Sequence, residues 1–348
     1  MPIFSRTAKG GGHHGSHSAW HTQDARDIDC AATGCMWNLG KKCMVPSQSP
    51  RSSQTAVLSL KTMNTGIIGE TNAAYHSNPA ISHSNLCDFM EQTGGSKLRF
   101  YHRHVLKIIA PEEAPHLEFG SAFHLLMEDT EKFKAVAVSS KFENYRTSEA
   151  KTWRDEMIKA GKIILNKEDE EALALMHGRV LKHPIVQELI ADTQAELTWR
   201  KRYSDVFSVQ CRTDRYKPGI AVDWKTVSSL NAFKKDAINF SYHTQAAYYQ
   251  EVIAACQELP ADAPRPRMIY VAVEKEPPFE VQPFEFDQDS LTVARAEIIM
   301  ALKHLRRCFE TNEWERTPNI ETIRLPVWSV KQAEERLIEL QKRLELPA

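Results

Sequence analysis

The stretch Cys211–Val227, CRTDRYKPGIAVDWKTV, decides how the chain is read. Strand-forming residues lie on both sides of Lys217-Pro218-Gly219, which predicts two antiparallel strands joined by a turn. In the second strand, the flanks IAV and TV are those of a buried strand, where unpaired charge is expensive. Yet that strand carries Asp223 and Lys225, and the strand before it carries Asp214. Side chains alternate faces along a strand, so Asp223 and Lys225 point one way and Trp224 the other. The turn can bring Asp214 beside Asp223. Two carboxylates there repel, so something cationic belongs between them. Mg²⁺ suits the place: it takes oxygen ligands, needs only one or two carboxylates, and keeps waters and substrate phosphate. The backbone carbonyl of Trp224 can add a ligand. Lys225 can hold or deprotonate an attacking water, or stabilise charge on a phosphate. That is hydrolytic phosphoryl chemistry assisted by metal. The plain alternative is a surface hairpin with a cross-strand Asp–Lys pair, which an Asp-x-Lys by itself does not exclude.

Working outward, AELTWRKRY (195–203) predicts a further antiparallel strand before the pair. SYHTQAAYYQEVIAACQ (241–257) predicts the helix after it, with Gln245 and Tyr249 at i and i+4 on one face. RMIYVAVEK (267–275) and FEVQPFEFD (279–287) read as two more strands, followed by a long helix from near Asp289 to near Glu313 and a last amphipathic helix at about 330–345. Upstream, SNPAISHSNLCDFME (77–91) has Ser82 or Ser84 as a helix N-cap, and EFGSAFHLLMED (118–129) reads as a helix whose Gly120 and Ala122 permit close packing. Two amphipathic helices cover 148–162 and 167–190, the second broken near Pro184. Helices, a strand meander, a helix, two strands and more helices imply an α/β fold, a central sheet covered by helices.

The chain of 348 residues is 42% apolar and 26% charged, an ordinary soluble composition. A formal charge of −1 gives no overall attraction to nucleic acid, so any such contact needs a local basic patch. No apolar run is long enough for a membrane span or a signal peptide. Seven irregularly spaced cysteines are expected to be reduced thiols, and the expected location is cytoplasmic. Residues 1–60, rich in Gly, Ser, His and Pro, read as a disordered arm. Cys30, Cys35 and Cys43, with His13, His14, His17 and His21 nearby, leave zinc as an alternative, although their spacing fits no common finger. The expected divisions are the arm, a catalytic domain over 61–328, and a C-terminal helix over 329–348.

Four pieces now stand in order: GSAFH (120–124), CRTD (211–214), DWKT (223–226) and YHTQAAYY (242–249). Together they resemble the PD-(D/E)XK nuclease superfamily, and more closely the phage-type RecE exonuclease (exonuclease VIII) family. The resemblance runs from about residue 65 to about 328 and leaves out the arm and the last helix. It implies a restriction-endonuclease-like mixed sheet flanked by helices. It also implies an Mg²⁺-dependent exonuclease, with Mn²⁺ able to substitute, that degrades the 5′ strand of a DNA duplex from an end. The resulting 3′ overhang would serve an annealing-type recombinase. By the same resemblance, Asp214 and Asp223 would be the principal metal ligands, and His124 would contact a metal or its water. Lys225 would orient the nucleophilic water, and Gln245 and Tyr249 would position the lysine and the phosphate. Glu196 is a candidate supporting carboxylate, or equally a surface strand residue. Thr213 stands where the family often has Pro, a position that supplies no ligand.

Contact with DNA beyond the metal calls for basic residues near the hairpin: Arg200, Lys201, Arg202, Arg212, Arg215, Lys234 and Lys235 are the candidates. RecE-like enzymes assemble as rings, which would imply a closing homo-oligomeric interface. The alternatives are a RecB-like nuclease, a restriction-like endonuclease, and a catalytically silent DNA-end-binding protein. The first often carries an iron–sulfur cluster, against which only Cys256 and Cys308 follow the catalytic helix, far apart.

Overall fold

A computed structural model describes residues 65–110, 117–316, 320 and 322–344. The expected arm, with its zinc alternative at Cys30, Cys35 and Cys43, lies outside the described residues. All described residues belong to one unit, Pro50–Ala348. The elements in order are β1 (Gly66–Ile68), α1 (Asn72–Ser77), α2 (His83–Cys87), α3 (Lys97–Phe100), a π-helical turn (Tyr101–Val105), α4 (Leu117–Glu128), α5 (Thr130–Val136), β2 (Ala137–Ser139), α6 (Ser148–Lys159), β3 (Ile163–Leu165), α7 (Lys167–Lys182) and α8 (Pro184–Ile190). There follow β4 (Gln194–Arg202), β5 (Ser208–Lys217), β6 (Ile220–Val227), α9 (Leu230–Asn239), α10 (Tyr242–Cys256), β7 (Arg267–Glu274), β8 (Val281–Phe284), α11 (Gln288–Thr311) and α12 (Val327–Leu344).

The main sheet has the order β1-β4-β5-β6-β7-β8. All its pairings are antiparallel except β6 with β7, so the sheet is mixed. Because β7 runs parallel to β6, the chain needs a crossover, and α9 and α10 supply it. The period-two pattern of β6 sorts its residues between two cores. Val222 and Trp224 pack with Phe123, Leu173 and Met176 on the face covered by α4 and α7. Ala221 and Val227 pack with Tyr248, Ile253 and Leu305 on the face covered by α10 and α11. Asp223 and Lys225, with the same parity as Ala221, therefore point to the α10 side.

The helix boundaries follow local chemistry. Ser82 is the N-cap of α2, in a reciprocal capping box with Asn85. Pro184 ends α7 and opens α8, and His183 Nδ1 accepts from Val186 N at the junction. A Cβ on Gly120 of α4 would meet Thr226 Oγ1 of β6 at 3.6 Å, an ordinary contact, so the expected close packing there leaves room for a methyl group. No helix among the described residues is long and apolar enough to cross a membrane.

The β5–β6 turn matters most. Lys217 pairs with Ile220, so the loop is Pro218-Gly219. Proline fixes φ near about −65°, and Gly219 adopts +84°. That is the type II combination, whose twist opposes that of the flanking strands and splays them. Pairing runs through Lys217↔Ile220, Tyr216↔Ala221 and Arg215↔Val222, and ends there.

Candidate active site

The next residues across the opened ladder are Asp214 and Asp223. In this gap the Trp224 N–H donates to Asp214 Oδ2 at 2.7 Å instead of to a β5 carbonyl. A strand residue turns its N–H and C=O to the same edge, so the Trp224 carbonyl also faces the gap. His124, on α4, places Nδ1 3.3 Å from Asp214 Oδ2. Arg215 fixes the end of that helix by donating to the carbonyls of Met127 and Glu128.

The Lys225 ammonium meets Asp223 Oδ2 as an ion pair. It also sits 4.7 Å from the ring centroid of Tyr242 and 5.5 Å from that of Tyr270. Tyr270 is the β7 residue in register with Asp223. Its hydroxyl donates to the Tyr242 carbonyl at 2.7 Å, and the two rings stack at 5.4 Å. A half-buried lysine is thus held by one carboxylate and two aromatic faces.

Burial opposes charge throughout this cluster. For Asp214, burial raises the pKa, but His124 and the Trp224 N–H outweigh it and the group stays below the usual carboxylate range. For His124, burial lowers the pKa, but Asp214 outweighs burial and raises it above the ordinary value. With Nδ1 on Asp214, any metal contact by His124 falls to its other ring nitrogen. Lys225 is held protonated against burial, chiefly by Asp223. Asp223 is the carboxylate under strain: burial and the charge of Asp214 together outweigh Lys225 and raise it. Its Oδ2 is the oxygen paired with the Lys225 ammonium.

The Asp223 carboxylate, the facing Asp214 and the Trp224 carbonyl are oxygen donors that fit a hard divalent cation, which needs few protein ligands. Among the described residues, no three His, Cys, Asp or Glu side chains form a ready cage. The donor set therefore suits an ion that retains waters and substrate oxygens, rather than an enclosed structural site.

The remaining expected residues divide clearly. Tyr249 has its phenol raised far above the ordinary value, first by burial and further by Asp223 and Asp214, which puts it within electrostatic reach of both acids. Gln245 presents a buried Oε1 without a hydrogen-bond partner. Glu196 stands opposite Asp214, between the pairs Ala195↔Arg215 and Leu197↔Thr213, with φ +53°. Burial first, then Asp214 and Glu128, raise its carboxyl to about 7 despite an ion pair with Arg212 at 3.3 Å.

The basic set divides by burial and partners. Arg200 is 2% exposed, tied to Glu70 at 2.7 Å and to Gln210. Arg212 is 8% exposed, bonded to Thr198, Glu196 and the Glu70 carbonyl. Both are buried and engaged by these partners. Arg215 serves the α4 carbonyls, Lys201 pairs with Glu258 and Arg202 with Asp205. Lys234 and Lys235 are exposed on α9.

Sequence reasoning missed Glu128, Tyr242 and Tyr270. Glu128 is four residues after His124 and so on its helix face, a signal that was available. Tyr242 lies within the motif YHTQ. Tyr270 has no local signal, because only the parallel pairing brings it to Asp223.

The family model described as a PDDEXK-like domain of unknown function (DUF3799) matches residues 82–326, which span every site residue named above. No curated protein matches the chain. A crystal structure from Eubacterium rectale, of a protein provisionally named an exonuclease, superposes with a TM-score of 0.53 at 14% identity. The match covers 76% of this chain and 98% of that one, and it shows a shared fold.

Proposed function

The chain belongs to the family of PDDEXK-like domains DUF3799, and from that premise we propose that it is a metal-dependent nuclease acting on double-stranded DNA from an end. The observation that carries this is the opened β5–β6 ladder, which sets Asp214 against Asp223 with Lys225 paired to the second acid. Asp214, Asp223 and the Trp224 carbonyl would hold Mg²⁺, or Mn²⁺ in its place. The ion would lower the pKa of a bound water and offset charge on the phosphate. Lys225, paired with Asp223, would donate to the water or to a phosphate oxygen. Tyr242 and Tyr270 keep the ammonium aimed. His124 and the Trp224 N–H keep Asp214 ionised and fixed in direction.

The resemblance to RecE supports 5′-to-3′ polarity, a 3′ overhang handed to an annealing recombinase and a homo-oligomeric ring, and the irregularly spaced cysteines support a cytoplasmic location. It also supports residues 61–328 as the catalytic domain and 1–60 as a dispensable arm. The test is a linear duplex labelled at either end, incubated with Mg²⁺ or with EDTA beside a closed circle. Loss of 5′-ended strands only with metal, a surviving circle, and no digestion by Asp223→Ala or Lys225→Ala are expected. Cleavage of the closed circle at a comparable rate moves the protein to the restriction-like branch. Full activity in either variant removes the hairpin from the chemistry.

A further inference from the structure

We propose that Phe240 is a stacking platform for an unpaired nucleobase on the strand that enters the Asp214–Asp223–Lys225 site, an inference that rests on the nuclease reading above. Phe240 lies at the corner between α9 and α10 and is 64% exposed. A lone exposed phenylalanine is unremarkable on a protein surface. This one ends a row of rings. Its centroid is 5.9 Å from that of Tyr242, whose ring stacks on Tyr270 at 5.4 Å and lies 4.7 Å from the Lys225 ammonium. The row therefore runs from solvent to the cation that would meet the phosphate. Two short steps, 5.9 Å and 4.7 Å, separate the Phe240 ring from Lys225 Nζ, within the reach of a nucleotide joined to that phosphate.

The backbone builds the corner for this. Ser241 adopts φ +58°, a left-handed conformation unfavourable for a residue with a Cβ, and the chain reverses there into α10. Phe240 N–H donates to Asp236 O at 2.8 Å, so the ring is carried on the last turn of α9. The cation beside this row is Lys225, 4.7 Å from the Tyr242 ring. Aromatic surface beside cations is the pairing that binds single-stranded nucleic acid, because every base has a π face whatever its identity. A base inside a duplex has both faces covered by its neighbours. The occupant is therefore a frayed terminal base or a displaced one, as an enzyme working from an end would present.

The experiment uses the full chain as wild type, Phe240→Ala and Phe240→Trp. The probes are duplexes with mismatched ends that carry 2-aminopurine or an abasic nucleotide at each terminal position in turn. Binding is measured in Ca²⁺, and kcat and KM in Mg²⁺. At one position, 2-aminopurine fluorescence should be quenched by wild type and not by Phe240→Ala. Phe240→Ala should weaken binding and raise KM by about 5- to 150-fold, with kcat little changed. Phe240→Trp should restore both. An abasic nucleotide at the quenched position should weaken wild type to the same degree and add nothing to the loss in Phe240→Ala. Wild-type affinity in Phe240→Ala, or losses that multiply at every position, would overturn the platform while leaving the nuclease reading intact. A wild-type protein that neither binds nor cleaves these duplexes would overturn both.

Discussion

Replacing Lys225 with Met keeps the apolar stem and removes the ammonium set against Asp223. The two side chains are only 16% and 7% exposed, so the carboxylate left behind is buried and uncompensated. Breaking one side of such a pair typically costs ~3–5 kcal/mol. Loss of the contacts with the Tyr242 and Tyr270 rings falls within that figure, at ~0.5–2 kcal/mol. Asp223 is already raised above its ordinary value of 3.8 by burial and by Asp214, and without Lys225 it rises further. The sign follows from linkage: the folded variant binds a proton that the unfolded chain releases. The deficit is therefore small below the unfolded value and grows as pH rises through the folded one. Urea unfolding in EDTA at about pH 7.5 and about pH 4 measures both ends, taken as the difference from wild type. Asp223→Asn leaves the Lys225 ammonium without its carboxylate but relieves the repulsion with Asp214, so it should lose less than Lys225→Met. The double variant Asp223→Asn/Lys225→Met should recover most of the single deficit. A Lys225→Met protein within ~1 kcal/mol of wild type at about pH 7.5, or a deficit that does not change with pH, would refute the claim that Asp223 depends on this ammonium.

Glu196 has a folded pKa of about 7 against 4.5 ordinarily, so wild type should lose stability relative to Glu196→Gln as pH rises between those values, by up to ~3 kcal/mol, and match it below them; a flat difference in unfolding midpoints counts against the buried acid. Arg200→Met should destabilise by ~3–5 kcal/mol, by leaving Glu70 unpaired, without changing the salt dependence of DNA binding. Lys234→Glu/Lys235→Glu should leave stability within ~0.5 kcal/mol and flatten the slope of log affinity against log salt by up to ~2; equal slopes in all three proteins would clear α9 of phosphate contact. Pro218→Asn makes an Asn-Gly turn whose twist matches the strands, so the β5–β6 ladder should extend across Asp214 and Asp223, raise the urea midpoint and reduce cleavage; unchanged activity would show that the turn does not open the site.

Local chemistry made much of this protein legible from its residues. Period two in IAVDWKTV fixes which face Asp223 and Lys225 share, since that depends only on the pleat. Pro184 divides α7 from α8 because a ring cannot continue a hydrogen-bonded turn. Helix α9 escaped notice: Lys234, Lys235 and Asp236 interrupt its apolar face, and tertiary packing of Phe233 and Ala237 stabilises it. The consecutive cations Arg200, Lys201 and Arg202 read as candidate DNA contacts. Yet β4 lies between β1 and β5, and Glu70, 130 residues from Arg200 in sequence, reaches it inside the protein. Tyr270 reaches Lys225 only because β7 returns parallel to β6 after two helices. Sequence thus determined face, turn and helix end, which depend on residues a few positions apart. Which charges meet, and which are removed from water, was decided by the pairing of distant segments, because desolvation acts on whatever the folded chain brings together.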